Sequence, residues 1–249
     1  MDKTKDLEKL KKNTKEAEDS FDFSFNLDEM TAAGLQFGHK TSKVHPKMQQ
    51  YISGARNAIH IVDVEKSAQK LKEALIFIKQ VVSDGKTILF IGTKIQVKAL
   101  VKEIAMECGF PYVNERWLGG TFTNFEIIKK RVAYFNDLID KKQKGELEKY
   151  TKKERLQIDR KLEDLEKKFG GIKVMDKLPN IIFVLDIKKD LIAVKEAKAK
   201  GIKVVGISDT NTNPELLDYA IPANDDAVSS AKYILEKVKE VVLANKSKI

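Results

Sequence analysis

The stretch TILFIGTKIQVKALVKEIAMEC, residues 87–108, contains the pattern that decides the fold. Its first six residues form a short apolar run that is typical of a strand buried on both faces. The residues after it have the spacing of an amphipathic helix, and Thr93 and Gln96 have the spacing of a capping box at its start. A buried strand that leads directly into a helix is the repeating unit of a parallel sheet.

The same alternation continues on both sides of this stretch. Strand patterns are predicted at residues 60–63, 109–114, 180–187, 202–208 and 218–223. Helix patterns are predicted at residues 64–82, 188–200 and 227–243. Apolar strands that alternate with amphipathic helices indicate a mostly parallel sheet covered on both faces. The predicted fold class is therefore a doubly wound α/β protein.

One segment, residues 126–169, breaks the alternation because it is highly charged and has no strand pattern. Two narrow apolar seams run through it with the same spacing of four, three and four residues; they are Ile128, Val132, Phe135 and Ile139, then Ile158, Leu162, Leu165 and Phe169. A second capping-box pattern, Thr151 to Glu154, opens the later seam. We predict an antiparallel coiled-coil hairpin that projects from the body, with two ordinary helices lying on the sheet as the alternative.

The composition bounds the class of partner. The 249 residues include 46 lysines and arginines against 37 acidic residues, a formal net charge of +9. Such a balance favours a polyanion, either a nucleic acid or an anionic membrane surface. The charged N-terminal residues predict neither a secretory signal nor an anchor, and nothing downstream is predicted to span a membrane. The one cysteine, Cys108, permits no internal disulfide and is expected to be a buried structural thiol in a cytoplasmic protein.

The most informative charge pattern is a gap in the acidic residues. From Met30 to Val62 there is no aspartate or glutamate, although four cations are present, Lys40, Lys43, Lys47 and Arg56. The glycines and polar residues of this segment predict a long irregular stretch with exposed backbone. Unopposed cations on such a stretch are suited to phosphate contacts. All three histidines fall in the same segment, but their spacing matches no zinc pattern.

An enzymatic reading has a few supporting residues. Asp186 and Asp209 each follow an apolar strand, where α/β enzymes place metal-binding or catalytic groups, and Lys94 lies at a strand-to-helix junction. The sequence DGKT at residues 84–87 does not match a P-loop. The earlier glycine that a P-loop requires is absent, and DGKT precedes a strand, whereas a P-loop follows one. A nucleotide- or metal-using enzyme stays as the alternative hypothesis, with a hard cation near Asp186 or Asp209. A coiled-coil scaffold without an RNA role is a third.

RWLGGTFTNF, residues 116–125, lies between the predicted body and the hairpin. Trp117 and Phe122 are expected to be core anchors, whereas Arg116 is expected to face an anion. The two glycines permit a tight chain reversal and a close approach of backbone amides to a neighbouring group.

An ordered set of motifs carries a family resemblance; it comprises GLQFGHKTSKVHPKMQQYISGARNAIHIVDVEK, ILFIGTK, VNERWLGGTFTNF, LEKKFGGIKVMDKLPN, DTNTNP and IPANDDA. In this order, over roughly residues 28–243, they closely resemble the bacterial small-subunit ribosomal protein S-two family. The resemblance implies a non-enzymatic protein without a cofactor, with a flavodoxin-like body and a protruding coiled coil. It implies a place near the junction of head and body in the small ribosomal subunit. The implied partners are ribosomal RNA, neighbouring proteins and, in many bacteria, ribosomal protein S-one.

We therefore expect a charged N-terminal tail at residues 1–26, an α/β body at 27–122 and 172–245, a hairpin at 123–171, and a short C-terminal tail at 246–249. The expected function is that of a structural ribosomal protein that binds RNA phosphates through cations. The candidate contact residues are Lys40, Lys43, Lys47, Arg56, Arg116, Lys129, Lys130 and Arg131.

Overall fold

The computed structural model describes residues 25–246. Nearly all of the predicted N-terminal tail lies outside this range, and so do residues 247–249 of the predicted C-terminal tail. None of the helices in the described range is both long enough and apolar enough to cross a membrane.

The described chain alternates strands and helices along most of its length. The strands are β1 (Phe37–Lys40), β2 (Ile52–Arg56), β3 (Ile59–Val62), β4 (Ile88–Ile91), β5 (Tyr112–Val113), β6 (Ile181–Val184), β7 (Lys203–Ser208) and β8 (Tyr219–Pro222). The α-helices are α1 (Leu27–Ala32), α2 (Val64–Ser83), α3 (Lys98–Cys108), α4 (Phe125–Gln143), α5 (Lys152–Phe169), α6 (Leu191–Ala199) and α7 (Val228–Lys246). Short 3-10 turns occupy Pro46–Tyr51, Gly170–Ile172 and Pro214–Leu216.

The larger sheet has five strands in the order β5-β4-β6-β7-β8. Strand β4 is parallel to both β5 and β6, and β6 is parallel to β7. Neighbouring strands that run parallel require crossover connections, and these are present as α3 between β4 and β5, α6 between β6 and β7, and the longer insertion between β5 and β6. The predicted α/β class with a mostly parallel sheet is confirmed.

The buried strands explain why the sequence folds in this way. Every residue of β4 and β6 is buried, so the continuous apolar runs that predicted them match strands covered on both faces. Phe90 and Phe183 lie side by side on these strands, with ring centroids 5.8 Å apart. On β7, a Cβ atom added at Gly206 would lie 2.2 Å from the carbonyl oxygen of Val184, so only glycine fits there.

The described chain divides into two compact units. The first contains residues 25–86, Ile207–Glu215 and residues 219–246. In it α2 packs against α7 and β8, and the rings of Phe77 and Tyr219 stack with centroids 4.3 Å apart. The second contains Thr87–Gly206 and Leu216–Asp218, and its core is built on β4 and β6.

The acid-free segment is a small sheet, so the prediction of a long irregular stretch is wrong. Strands β1, β3 and β2 form a three-stranded antiparallel sheet in that order. Asn57 and Ala58 form the two-residue turn between β2 and β3, and both have positive φ, at 52° and 59°, as a tight hairpin turn requires. Four of the five residues of β2 are exposed. Without a buried face the alternation that reveals a strand is missing, which is why the pattern failed.

The two capping-box predictions have different outcomes. Thr151 caps α5 as predicted, and its side chain and that of Glu154 bond each other's backbone amides. The prediction at Thr93 is wrong, because α3 begins at Lys98 and its cap, Val97, makes no side-chain bond. The Thr93 hydroxyl instead donates to Asp190, 2.9 Å away.

Helices α4 and α5 contact each other where a hairpin was predicted. On α4 the buried side chains are Ile128, Val132, Phe135 and Leu138. On α5 only Phe169 is buried, so most of this helix faces solvent. Three of the four seam residues predicted on α4 are buried, but Leu138 is buried in place of the predicted Ile139, which is half-buried. The coiled-coil character of the pair stays a prediction.

Candidate nucleic-acid interface

Two of the predicted cations flank one residue on the three-stranded sheet. Lys40 on β1 and Arg56 on β2 are both paired in register with Ile59 on the central strand β3. Directly opposed residues of neighbouring strands project from the same face, so the two cations lie on that face about 10 Å apart. Both are exposed, and Ile59 between them is 37% exposed. The arrangement is a solvent-facing apolar residue between two positive charges.

The other two cations of this segment follow β1. Lys43 is exposed, and no ion pair joins it to any residue in the described range. Lys47 is also exposed, and its ammonium group pairs with the carboxylate of Glu215. Within residues 25–246, Lys40, Lys43 and Arg56 thus form no ion pair and are available to an outside anion, whereas Lys47 would have to exchange Glu215 for it.

A histidine–carboxylate cluster lies at the start of the same sheet. Nδ1 of His39 is 3.1 Å from the carboxylate of buried Asp209, and Nε2 is 3.5 Å from Asp226. The hydrogen bond with Asp209 raises the pKa of His39, although burial works in the opposite direction. The His39 amide donates to the Thr210 hydroxyl at 2.9 Å.

The histidine cluster also has the donor set of a cation site. Ligand atoms of His39, Asp209 and Asp225 all lie within 4.8 Å of one another, and both aspartates are buried. Carboxylate oxygens suit hard divalent cations, and one imidazole with two carboxylates also suits zinc. Histidine spacing alone could not reveal this, because the carboxylates come from a distant part of the chain.

In the second unit, the strand-end residues of the enzymatic hypothesis are paired among themselves. Lys94 and Asp186 form an ion pair with a nitrogen–oxygen distance of 3.0 Å, and both are largely buried. The Lys189 amide also donates to Asp186, at 2.9 Å. Burial raises the pKa of neighbouring Asp190 to about 6, opposed by hydrogen bonds from Thr93. Because these groups satisfy one another, the strand ends have the character of a closed internal network.

The loop RWLGGTFTNF surrounds a carboxylate of the same chain. Glu196, on α6, is only 8% exposed. Its oxygens accept hydrogen bonds from the amides of Gly120, Phe122 and Thr123 at 2.7, 2.9 and 3.1 Å. The Thr123 hydroxyl and the Trp117 indole nitrogen donate as well, at 3.2 and 3.3 Å. The anion in this backbone cradle is therefore a side chain, and no phosphate is needed to explain the glycines.

The charge state of Glu196 follows from these contacts. Burial alone would raise its pKa, but the amide and indole donors outweigh burial, and the pKa of Glu196 is lowered. The predicted core roles of Trp117 and Phe122 are confirmed, since they are 7% and 0% exposed and their rings meet edge to face at 4.8 Å. Sequence reasoning missed Glu196, whose one visible signal is an acidic residue among the alanines of a helix face.

The remaining predicted contact residues lie near this loop. Arg116 is exposed. Lys129, Lys130 and Arg131 are exposed on the early turns of α4, and Lys129 donates to the carbonyl oxygen of Asp176 at 3.2 Å. These four residues belong to the second unit, and the four cations of the acid-free segment belong to the first.

Comparison with known proteins decides the family. The family model described as Ribosomal protein S2 matches residues 30–245. This chain belongs to the ribosomal protein S2 family. The earlier resemblance is thereby confirmed over nearly the whole described range.

Individual S2 relatives agree. The chain is 46% identical over 216 residues to small ribosomal subunit protein uS2 of Roseiflexus sp. (strain RS-1), covering 87% of this chain and 82% of that protein. The uS2 of Dictyoglomus thermophilum is 45% identical over 220 residues, covering 88% and 89% of the two chains. That of Coprothermobacter proteolyticus is 43% identical over 217 residues, covering 87% and 81%.

Membership of the S2 family bears on the chemistry. It is a family of structural ribosomal proteins, so the alternative of a nucleotide- or metal-using enzyme is not supported. Ribosomal protein families generally work without cofactors. In a member of the S2 family, the candidate functional residues are therefore the exposed cations and not the groups at the strand ends.

The Glu196 cradle generates a stability prediction. Glu196→Gln replaces one acceptor oxygen with an amide group that faces backbone donors, so we expect a loss of about 2–4 kcal/mol in the free energy of unfolding. Denaturant titration measures the loss, and hydrogen exchange at Gly120, Phe122 and Thr123 should accelerate. The matched control is Glu103→Gln, an exposed glutamate on α3. Equal stability of the two variants would contradict the role of Glu196.

Proposed function

We propose that this chain is a structural constituent of the small ribosomal subunit, where it binds small-subunit ribosomal RNA and neighbouring ribosomal proteins and supports translation in the cytoplasm. The relatives named above are small-subunit proteins, which supports this role. The observation that carries the RNA part of the proposal is the pair of exposed cations, Lys40 and Arg56, on one face of the small sheet. Such a face fits the spaced negative charges of a phosphate backbone.

The proposed contact residues are Lys40, Lys43, Lys47, Arg56, Arg116, Lys129, Lys130 and Arg131. Their exposure supports the proposal, because a charge that meets RNA in the assembled subunit must be accessible before assembly. Lysine and arginine bound to phosphate position a protein without reading bases. The affinity should therefore depend strongly on salt and weakly on sequence.

We also propose that the chain is divided into a body, at residues 27–122 and 172–245, and a projecting coiled-coil arm, at residues 123–171. The exposure of most of α5 supports an arm. The proposed location is near the junction of head and body in the small subunit. Ribosomal protein S-one is a further proposed partner where a cell has it.

We propose that this function requires no cofactor, and that any structural cation would bind at Asp209 and not at Asp186. Asp186 already pairs with Lys94, whereas Asp209 shares a compact ligand set with His39 and Asp225. Equilibrium dialysis with zinc or magnesium should show one bound ion per chain that Asp209→Asn abolishes and Asp186→Asn preserves. Equal binding by both variants would refute the assignment.

The RNA contacts make a quantitative prediction about salt. Each phosphate contact adds about 0.7–0.9 to the slope of log affinity against log salt concentration. For purified small-subunit RNA, the double variant Lys40→Gln, Arg56→Gln should lower that slope by about 1.5. Titrations at several salt concentrations measure it.

The matched control removes two exposed lysines from α6 and the turn after it, through Lys195→Gln and Lys200→Gln. This control loses the same formal charge, so it separates local contacts from a general effect of net charge. Identical slopes for the two double variants would remove the sheet from the interface. A wild-type slope near zero would refute RNA binding by phosphate contact altogether.

A further inference from the structure

The arm formed by α4, α5 and their connection has an uneven distribution of charge. We define its base as residues 125–131 and 167–169, its middle as residues 132–140 and 156–166, and its tip as residues 141–155. The base has a net charge of +4, the middle −4 and the tip +4. Two basic ends are therefore separated by an acidic section.

The distance between the two ends makes them independent. Thirteen residues separate Lys129 at the base from Lys142 at the tip, and at 1.5 Å per helical residue this spacing is about 20 Å. The Debye length at physiological ionic strength is about 8 Å, so charge at the base is screened from the tip. A phosphate bound at the base would gain nothing from the lysines at the tip.

The cations of the tip are mostly available. In the part of the chain that the structure describes, Lys141 and Lys142 are the tip cations with ion pairs, to Asp137 and Asp159 of the arm middle. Five others are exposed and form no ion pair with any residue from 25 to 246; they are Lys144, Lys149, Lys152, Lys153 and Arg155.

The acidic residues of the tip do not cancel this charge. Seven cations face three acids there. One of the three, Glu154, accepts hydrogen bonds from the amide and the hydroxyl of Thr151 at 2.9 Å each. The three acids are too few to neutralise the seven cations, so the tip keeps its net charge of +4.

An exposed aromatic residue lies among these cations. Tyr150 is 40% exposed, and the ammonium group of Lys149 lies 5.6 Å from its ring centroid. Aromatic rings interleaved with cations are typical of surfaces that bind nucleic acid, because a ring can stack on a base while the cations hold the backbone. This combination favours RNA over an acidic protein, because an acidic protein surface has no base on which the ring could stack.

We propose that the arm tip is a separate RNA-binding surface, at which Lys144, Lys149, Lys152, Lys153 and Arg155 contact the phosphate backbone of small-subunit RNA and Tyr150 stacks on a base. The acidic middle repels phosphates and keeps RNA to the two ends. The inference rests on the proposed function, since it assumes RNA as the partner, but it assigns a contact surface about 20 Å from the cations at the arm base.

The first test is the salt dependence of RNA binding. The triple variant Lys149→Gln, Lys152→Gln, Lys153→Gln should lower the slope for small-subunit RNA by about 2 relative to the wild type. The control triple Lys188→Gln, Lys195→Gln, Lys200→Gln removes three exposed lysines from the same unit. Equal slopes for the two triples overturn the proposal, even where the wild type binds RNA with a steep slope.

The second test locates the tip inside assembled small subunits. Cys108 is fully buried and is the chain's one cysteine, so a Cys108→Ser background allows a single iron–EDTA tether at Gln143→Cys in the tip or Ser42→Cys after β1. Hydroxyl radicals from the tip should cleave ribosomal RNA at sites distinct from those reached from Ser42→Cys. Cleavage from Ser42→Cys alone overturns the tip proposal and leaves the proposed function intact.

The remaining outcomes are also decisive. If neither tether cleaves RNA in subunits that contain the protein, both the tip proposal and the proposed function fail. If a photo-crosslinker at Gln143→Cys captures an acidic ribosomal protein and no RNA, the partner class at the tip is wrong.

Discussion

The hydrogen bonds between Glu196 and the RWLGGTFTNF loop are the interaction on which the second unit depends. A single buried carboxylate gathers the amides of Gly120, Phe122 and Thr123 and the indole of Trp117. A tight loop exposes backbone donors that must find acceptors once they are buried. Glu196 supplies two oxygens for five donors, so the loop immediately before α4 is fixed to α6. The direction in which α4 leaves this loop follows from that fixation.

The same physical rule separates internal from external sites in this protein. Buried charges have partners in the chain: Glu196 has backbone donors, Asp186 has Lys94, and Asp209 has His39. Exposed charges such as Lys40, Arg56 and Lys152 lack an ion pair to any described residue. A polyanion that binds the protein would contact these exposed charges and not the buried ones. An α/β enzyme keeps the carboxyl ends of its strands open to a ligand. The closed network at the strand ends of this chain is therefore consistent with a family of structural ribosomal proteins.

Much of the fold could be predicted because its strands are buried. The runs at residues 88–91 and 181–184 lie between covering layers, and continuous apolar sequence is the direct record of that burial. Of the small sheet, β3 was predicted at residues 60–63, but β1 and β2 were not, since neither has a buried residue that would impose an alternation. Thr93 was misassigned because a side chain 97 residues away, Asp190, competes for its hydroxyl. The cation positions were visible as a gap in the acids, but the pairing of Lys40 and Arg56 across Ile59 required the strand register. Glu196 was missed because most of its partners are backbone amides, which leave no residue pattern in the sequence.

The central claim is that this member of the S2 family is a small-subunit protein held on ribosomal RNA by phosphate contacts. The most direct test is sedimentation of small ribosomal subunits from cells that express the native protein, at low salt and after a high-salt wash. The account predicts that the protein sediments with the subunits at low salt and moves to the supernatant as the salt concentration rises, because competing cations replace its phosphate contacts. A protein that is absent from the subunits at low salt, or that stays bound unchanged at high salt, would contradict the account.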